Sequence, residues 1–151
     1  MRAVPRFSSE RLTVIAWPDE VIDKMGHDPR GRYVETYWLG ILGPSTTFLL
    51  RLMADELEAN PHGFILDLNL AAKRIGLSYG GTHSPFNRAF GRLTQFELAQ
   101  VRGPSLLAIR RVVPPLSRRH ISRLPVPIQE QHAEWNARQL RRPKIQITQS
   151  T

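Results

Sequence analysis

The sequence predicts a mainly α-helical fold that carries a small β element. Three observations predict it. Apolar residues recur at helical spacing in three segments: Phe48, Leu49, Leu52, Met53 and Leu57; Leu68, Ala71, Ala72 and Ile75; and Phe86, Ala89, Phe90 and Leu93. Two of these segments begin at side chains suited to cap a helix, Asp67 and the pair Ser84-Pro85. Finally, two apolar runs, Leu98–Arg102 and Leu106–Val113, are separated only by Gly103-Pro104-Ser105, which reads as a β-hairpin. The length of 151 residues suits a single core, and 41% hydrophobic with 23% charged residues is ordinary for a folded chain.

In chain order, residues 1–11 are expected to be frayed. Leu12–Trp17 is apolar and rich in β-branched residues, and Pro18 stops it, so it reads as a short strand. Asp19–Met25 allows one or two helical turns, and His27–Gly31 is a loop by composition. Tyr33, Tyr37 and Ile41 fall at helical spacing before Gly43-Pro44 interrupts the pattern. Pro44 suits the first position of the next helix, where its missing N–H removes no hydrogen bond. That helix runs to about Glu58, and Asn60–Gly63 ends it. Asp67 opens another helix, and Gly76 stands where a left-handed cap is expected to close it. After the loop Ser78–His83, Ser84-Pro85 starts a third helix, which passes through Phe90–Phe96 directly into the hairpin. Pro114-Pro115 closes this unit. A basic segment, Ser117–Leu124, and a last helix from Pro127 to about Arg141 follow, and 143–151 is expected to be flexible.

Charge is distributed unevenly. Residues 1–70 carry seven Arg or Lys against ten Asp or Glu, a net of −3; residues 71–151 carry fourteen against three, a net of +11. A field concentrated on one half raises the local concentration of a polyanion, nucleic acid being the commonest. The alternative is an arginine-rich chain whose basicity has no partner. The absence of cysteine excludes disulfides, thiol catalysis and Cys-containing zinc sites. The five histidines lack the paired spacing of helix-borne metal ligands, so neither metal nor cofactor is expected. No phosphate-binding glycine motif, nucleophile elbow or catalytic carboxylate pair can be read, and no enzymatic chemistry is expected. No run approaches the roughly 18–20 apolar residues of a membrane span, and the first residues lack the apolar run of a secretory signal. The expected location is cytoplasmic, in association with the nucleoid.

Residues 44–113 thus run helix, helix, loop, capped helix, hairpin. In that order, and through the phrases Asp67–Ser78 and Phe90–Leu98 and the Arg-flanked Gly-Pro hairpin tip, the segment resembles a winged helix-turn-helix. One departure is the connection from Gly76 to Ser84, longer than the tight turn of the basic motif. The resemblance implies a mainly α domain with a small β wing over 44–115; to it the remaining sequence is expected to add an N-terminal strand and helix packing on it over 1–43 and a basic helical extension over 116–142. It also implies sequence-selective binding of double-stranded DNA in transcription regulation, with the third helix in the major groove.

With Phe86 at zero and 100° per residue, Phe90 and Leu93 lie within about 40° of it, whereas Ser84, Arg88, Gly91 and Gln95 fall at about 140–200°. That outward face, flanked by Asn87 and Arg92, contains no acid and is the expected base-reading surface. A merely solvated face would more often include Asp or Glu. Phosphate contacts are expected from Lys73 and Arg74, from Thr82 and His83 in the glycine-rich loop, from Arg102, from one of Arg110 and Arg111, and from Arg118 and Arg119. Strand alternation sends Arg110 and Arg111 to opposite faces. A homodimer is expected to double the base pairs read, using Tyr33–Leu42 or Ile128–Leu140 with Trp135. The competing reading is an adaptor of the same fold that docks on RNA polymerase, a sigma factor or a replication protein.

Overall fold

The structure is a computed structural model that describes Phe7 and residues 10–81 and 83–141. The chain divides into two compact units, Met1–Pro115 and Leu116–Thr151. Helices predominate in both, and the β structure lies in the first.

The first unit opens with strand β1 (Arg11–Ala16) and the short helix α1 (Glu20–Met25). The Asp19 carboxylate caps α1, accepting from the N–H groups of Val21 and Ile22 at 3.0 Å. Residues Val34–Trp38 then wind as a π-helix that continues into α2 (Leu39–Leu42). The wide turn buries Tyr33, Val34, Tyr37 and Trp38 together, and the indole of Trp38 donates to the Pro114 carbonyl at 2.9 Å. These side chains are spent on the core, so the aromatic residues of Tyr33–Leu42 are not at the surface. Gly43 lies at φ 85°, and α3 (Pro44–Ala59) starts immediately after it. Leu49, Leu50, Met53 and Leu57 form the buried stripe of α3. Phe48 is exposed, contrary to the sequence pattern, because the stripe centres between Leu49 and Leu57.

Helix α3 leads into strand β2 (Phe64–Asp67), and Asp67 ends the strand and caps α4 (Leu68–Arg74), accepting from Leu70 N–H at 3.0 Å. Gly76, at φ 79°, closes α4: its N–H reaches the Lys73 carbonyl at 3.0 Å, and that of Leu77 reaches Ala72 at 2.8 Å. Then come α5 (Pro85–Gln95), β3 (Ala99–Gly103) and β4 (Leu106–Ile109). The Ser84 hydroxyl accepts from Asn87 N–H at 3.2 Å to start α5. Phe86 and Phe90 are fully buried and meet edge to face at 5.2 Å, each ring stabilising the fold by about 1.5–3 kcal/mol.

The strands form one sheet in the order β2-β1-β4-β3. The hairpin β3–β4 is therefore the edge of a four-stranded sheet and not an isolated two-stranded element. β1 lies between β2 and β4, antiparallel to the first and parallel to the second, with Leu12 and Val14 fully buried. The N-terminal segment thus supplies an inner strand; it does more than pack on a finished domain. β2 escaped the sequence reading because it is four residues long and its last residue already carries a helix-cap signal.

In the second unit, Ser117 caps the single turn α6 (Arg118–Ile121), accepting from His120 N–H at 3.2 Å. Helix α7 (Val126–Arg141) follows, with Trp135 half-buried and Leu140 exposed. The tail 143–151 lies outside the described residues.

Candidate nucleic-acid interface

Helix α5 packs against α3 and β3, and its buried residues are Phe86, Asn87, Ala89, Phe90, Leu93 and Thr94. On the helical wheel these span about 160°, a broader sector than the phenylalanines alone define. Asn87 and Thr94 sit on the same flank and are both covered. Asn87, expected beside the reading face, is only 9% exposed and is turned away from that face. Ser84 is half-buried and its hydroxyl is occupied by the cap. What faces outward is Arg88, Arg92 and Gln95, all exposed, with half-buried Gly91 between them. Among the described residues no carboxylate pairs with Arg88 or Arg92.

Arg92 is tethered despite its exposure. Its Nη1 donates at 2.8 Å to the carbonyl of Leu42, the last residue of α2. Arg88, Ala89 and Arg92 form one wall of a cleft of about 300 Å³, and Gly43, Ser45 and Thr46 at the start of α3 form the other. The hydroxyl of Thr46 donates across to the Ala89 carbonyl at 3.4 Å. Sequence reasoning missed Ser45 and Thr46. The available signal was Gly43-Pro44, a helix start with no capping side chain.

The residues expected to meet phosphates divide. Lys73, His83 and Arg102 are exposed, with Arg102 Nε donating to Gln100 Oε1 at 3.0 Å beside the hairpin tip. Arg74 is exposed but lies 3.8 Å from Glu56. Thr82 lies outside the described residues. Arg110 is buried, contrary to the exposed position expected of it. It is 8% exposed, its guanidinium lies 3.8 Å over the Trp17 ring, and its Nε donates to the Glu97 carbonyl at 2.8 Å, with Asp19 at 3.7 Å. It is a structural cation and cannot reach DNA. Arg111 is exposed, as alternation requires, but it lines a cavity of about 360 Å³ shared with Asp23, Asp28, Arg30 and Glu58. Its surroundings are acidic, which does not favour a phosphate. Arg118 and Arg119 are exposed on the second unit.

Around that acidic cavity, Arg30 bonds Asp28 and Asp55 at 3.1 Å and Glu58 at 2.9 Å. Hydrogen bonds from Arg30 hold the Asp28 and Glu58 carboxyls below their ordinary values. In the second unit burial pushes His132 down, and burial together with Arg123 and Arg119 does the same to His120.

Among the described residues, no group of three His, Asp or Glu could hold a metal ion, and no helix is long and apolar enough to cross a membrane. Compared with known proteins, the chain matches no family model, no curated protein and no solved structure.

Proposed function

We propose that residues 44–113 are a winged helix-turn-helix and that the chain binds double-stranded DNA selectively, as a transcription regulator. The order α3, β2, α4, α5, β3, β4 supports the fold assignment. The observation that carries the function is the outward face of α5: Arg88 and Gln95 exposed, Gly91 between them, and no acid anywhere along it. Arginine pairs bidentately with guanine and glutamine with adenine in the major groove, and a glycine lets the helix axis approach. Arg102 beside the hairpin tip and Lys73 at the end of α4 supply cations for the phosphates on either side. Arg110 and Asn87 take no part.

The test begins by selecting bound fragments from a random duplex pool, then titrates the preferred and a scrambled duplex. Arg88→Ala is expected to lower the preferred-to-scrambled ratio by about 5- to 150-fold, the equivalent of 1–3 kcal/mol at one base pair, with little change on scrambled DNA. Arg102→Ala is expected to weaken both alike. An unchanged ratio for Arg88→Ala rejects α5 as the reading helix. One observation favours the adaptor reading instead: Ile65 on the edge strand β2 and Leu70 on α4 are exposed and line one shallow pocket. An adaptor would retain DNA weakly and without the steep salt dependence that phosphate contacts impose.

A further inference from the structure

The cleft between the start of α3 and the flank of α5 is not explained by base reading. Its walls bring two arginines opposite two hydroxyl residues, and no carboxylate lines it. We propose that it is an oxyanion site that seats one phosphodiester of a nucleic-acid strand, with Arg92 as its fixed donor and Ser45 and the first-turn amides of α3 opposite. The proposal rests on the DNA reading of α5 for the owner of the phosphate, but not for the chemistry of the site.

Arg92 has five N–H donors in a planar fork, and Leu42 takes one through Nη1. That bond fixes the guanidinium at the cleft without neutralising it, since a carbonyl carries no net charge. The remaining donors keep the geometry that suits a phosphate oxygen pair. Gly43 keeps the approach open: a Cβ there would stand 3.3 Å from Arg92 Nη1, and its φ of +85° disfavours any other residue. Gly43 also provides no side chain to cap α3. Ser45 and Thr46 N–H groups, which by position have no partner within the helix, therefore present partial positive charge on the wall facing Arg92. Arg88 stands on the α5 wall beside Arg92, between the cleft and the face that would meet base edges. A phosphate in the cleft would thus set how far α5 can turn in the groove. This separates Arg92 from the base-reading residues with which the sequence grouped it.

The discriminating variant is Ser45→Asp. An acid in the first turn of a helix is favourable to folding, while its charge would repel an anion from the cleft; a thermal stability of the variant no lower than the parent's checks the first point. In duplex titrations across salt concentrations, Ser45→Asp is expected to weaken preferred and scrambled DNA by the same factor. The slope of log affinity against log salt should shrink by about one, the signature of one lost phosphate contact. An unchanged slope and affinity, or a loss confined to the preferred duplex, overturns the proposal. A second arm uses inorganic phosphate with ¹⁵N-labelled protein. Shifts of the Ser45 and Thr46 amides in the parent but not in Ser45→Asp uphold the anion site, and their absence overturns it. If the parent retains no duplex, the DNA reading fails by itself, and the phosphate arm still decides the site.

Discussion

Around Arg30 the first unit gathers carboxylates, with Asp28, Asp55 and Glu58 all within 3.1 Å and Arg51 pairing with Glu35 close by. Around Arg92 it gathers none among the described residues; the guanidinium meets a carbonyl and shares its cleft with two hydroxyl residues and another arginine. Both arginines count equally toward a formal charge of +8. Their surroundings make one a structural hub whose charge is cancelled and leave the other a source of positive potential. The lesson is that net charge locates a polyanion site only after each cation has been matched with the acids it meets. Of the arginines the sequence assigned to phosphates, Arg111 belongs with Arg30 and Arg102 stands apart from it, as does Arg92, which the sequence placed on the reading face.

The largest expected effect comes from an arginine that joins neither group simply. Arg110 ties the corner between α5 and β3 to the rest of the sheet: Nε holds the Glu97 carbonyl, the guanidinium covers Trp17, and its backbone N–H bonds Leu98 at 2.9 Å. Arg110→Ala should lower unfolding free energy by about 2–3 kcal/mol, through the lost buried hydrogen bond and the uncovered ring. Urea denaturation measures it. A loss under 0.5 kcal/mol, on the order of an ordinary surface change, would return Arg110 to the exposed cations.

Arg30 is the intermediate case. Three ion pairs meet on one partly exposed guanidinium, and solvent screening keeps Arg30→Ala to a loss of about 1 kcal/mol near neutral pH. The sign of its pH dependence is fixed. The Asp28 and Glu58 carboxyls are held below their ordinary values of 3.8 and 4.5, so the unfolded chain binds protons more readily. Their contribution is complete above the unfolded values and is lost as pH falls through the lowered ones. The difference in stability between parent and Arg30→Ala should therefore be flat above about pH 6 and shrink below about pH 4. A difference that persists unchanged in acid means the carboxylates do not hold Arg30, and the contrast with Arg92 loses its basis.

What the sequence made legible follows the range of the forces involved. Asp67 and Ser84 announced their helices because a cap acts within three residues, and Gly76 announced a stop for the same reason. β2 was invisible because Phe64–Asp67 becomes a strand only by pairing with β1, some fifty positions earlier. The turn Val34–Trp38 has the apolar spacing of an ordinary helix, since a π-helix only shifts each hydrogen bond by one residue and this one lasts five residues. At the candidate site the wheel found Arg88 and Gln95 outward but misplaced Asn87. Spacing gives the centre of a buried stripe, whereas its width depends on what packs beside it. The tether of Arg92 to Leu42 spans fifty residues and left no local trace.

The smallest expected effect tests that local strain is tolerated where α5 turns into the sheet. Glu97 is the one non-glycine residue at positive φ among those described, at 58°. It stands where Gly76 stands in α4: Glu97 N–H reaches Thr94 at 3.1 Å, and Leu98 N–H reaches Leu93 at 2.9 Å, the same closing pattern. A glycine would adopt this conformation without the Cβ clash, which disfavours other residues by about 1 kcal/mol, but it also gives the unfolded chain more freedom. The two effects oppose, so Glu97→Gly should change stability by no more than about 0.5 kcal/mol, with a gain in sign, because the Arg110 bond to the residue-97 carbonyl survives the substitution. A loss beyond 1 kcal/mol in the same urea experiment would show that the Glu97 side chain itself holds the corner.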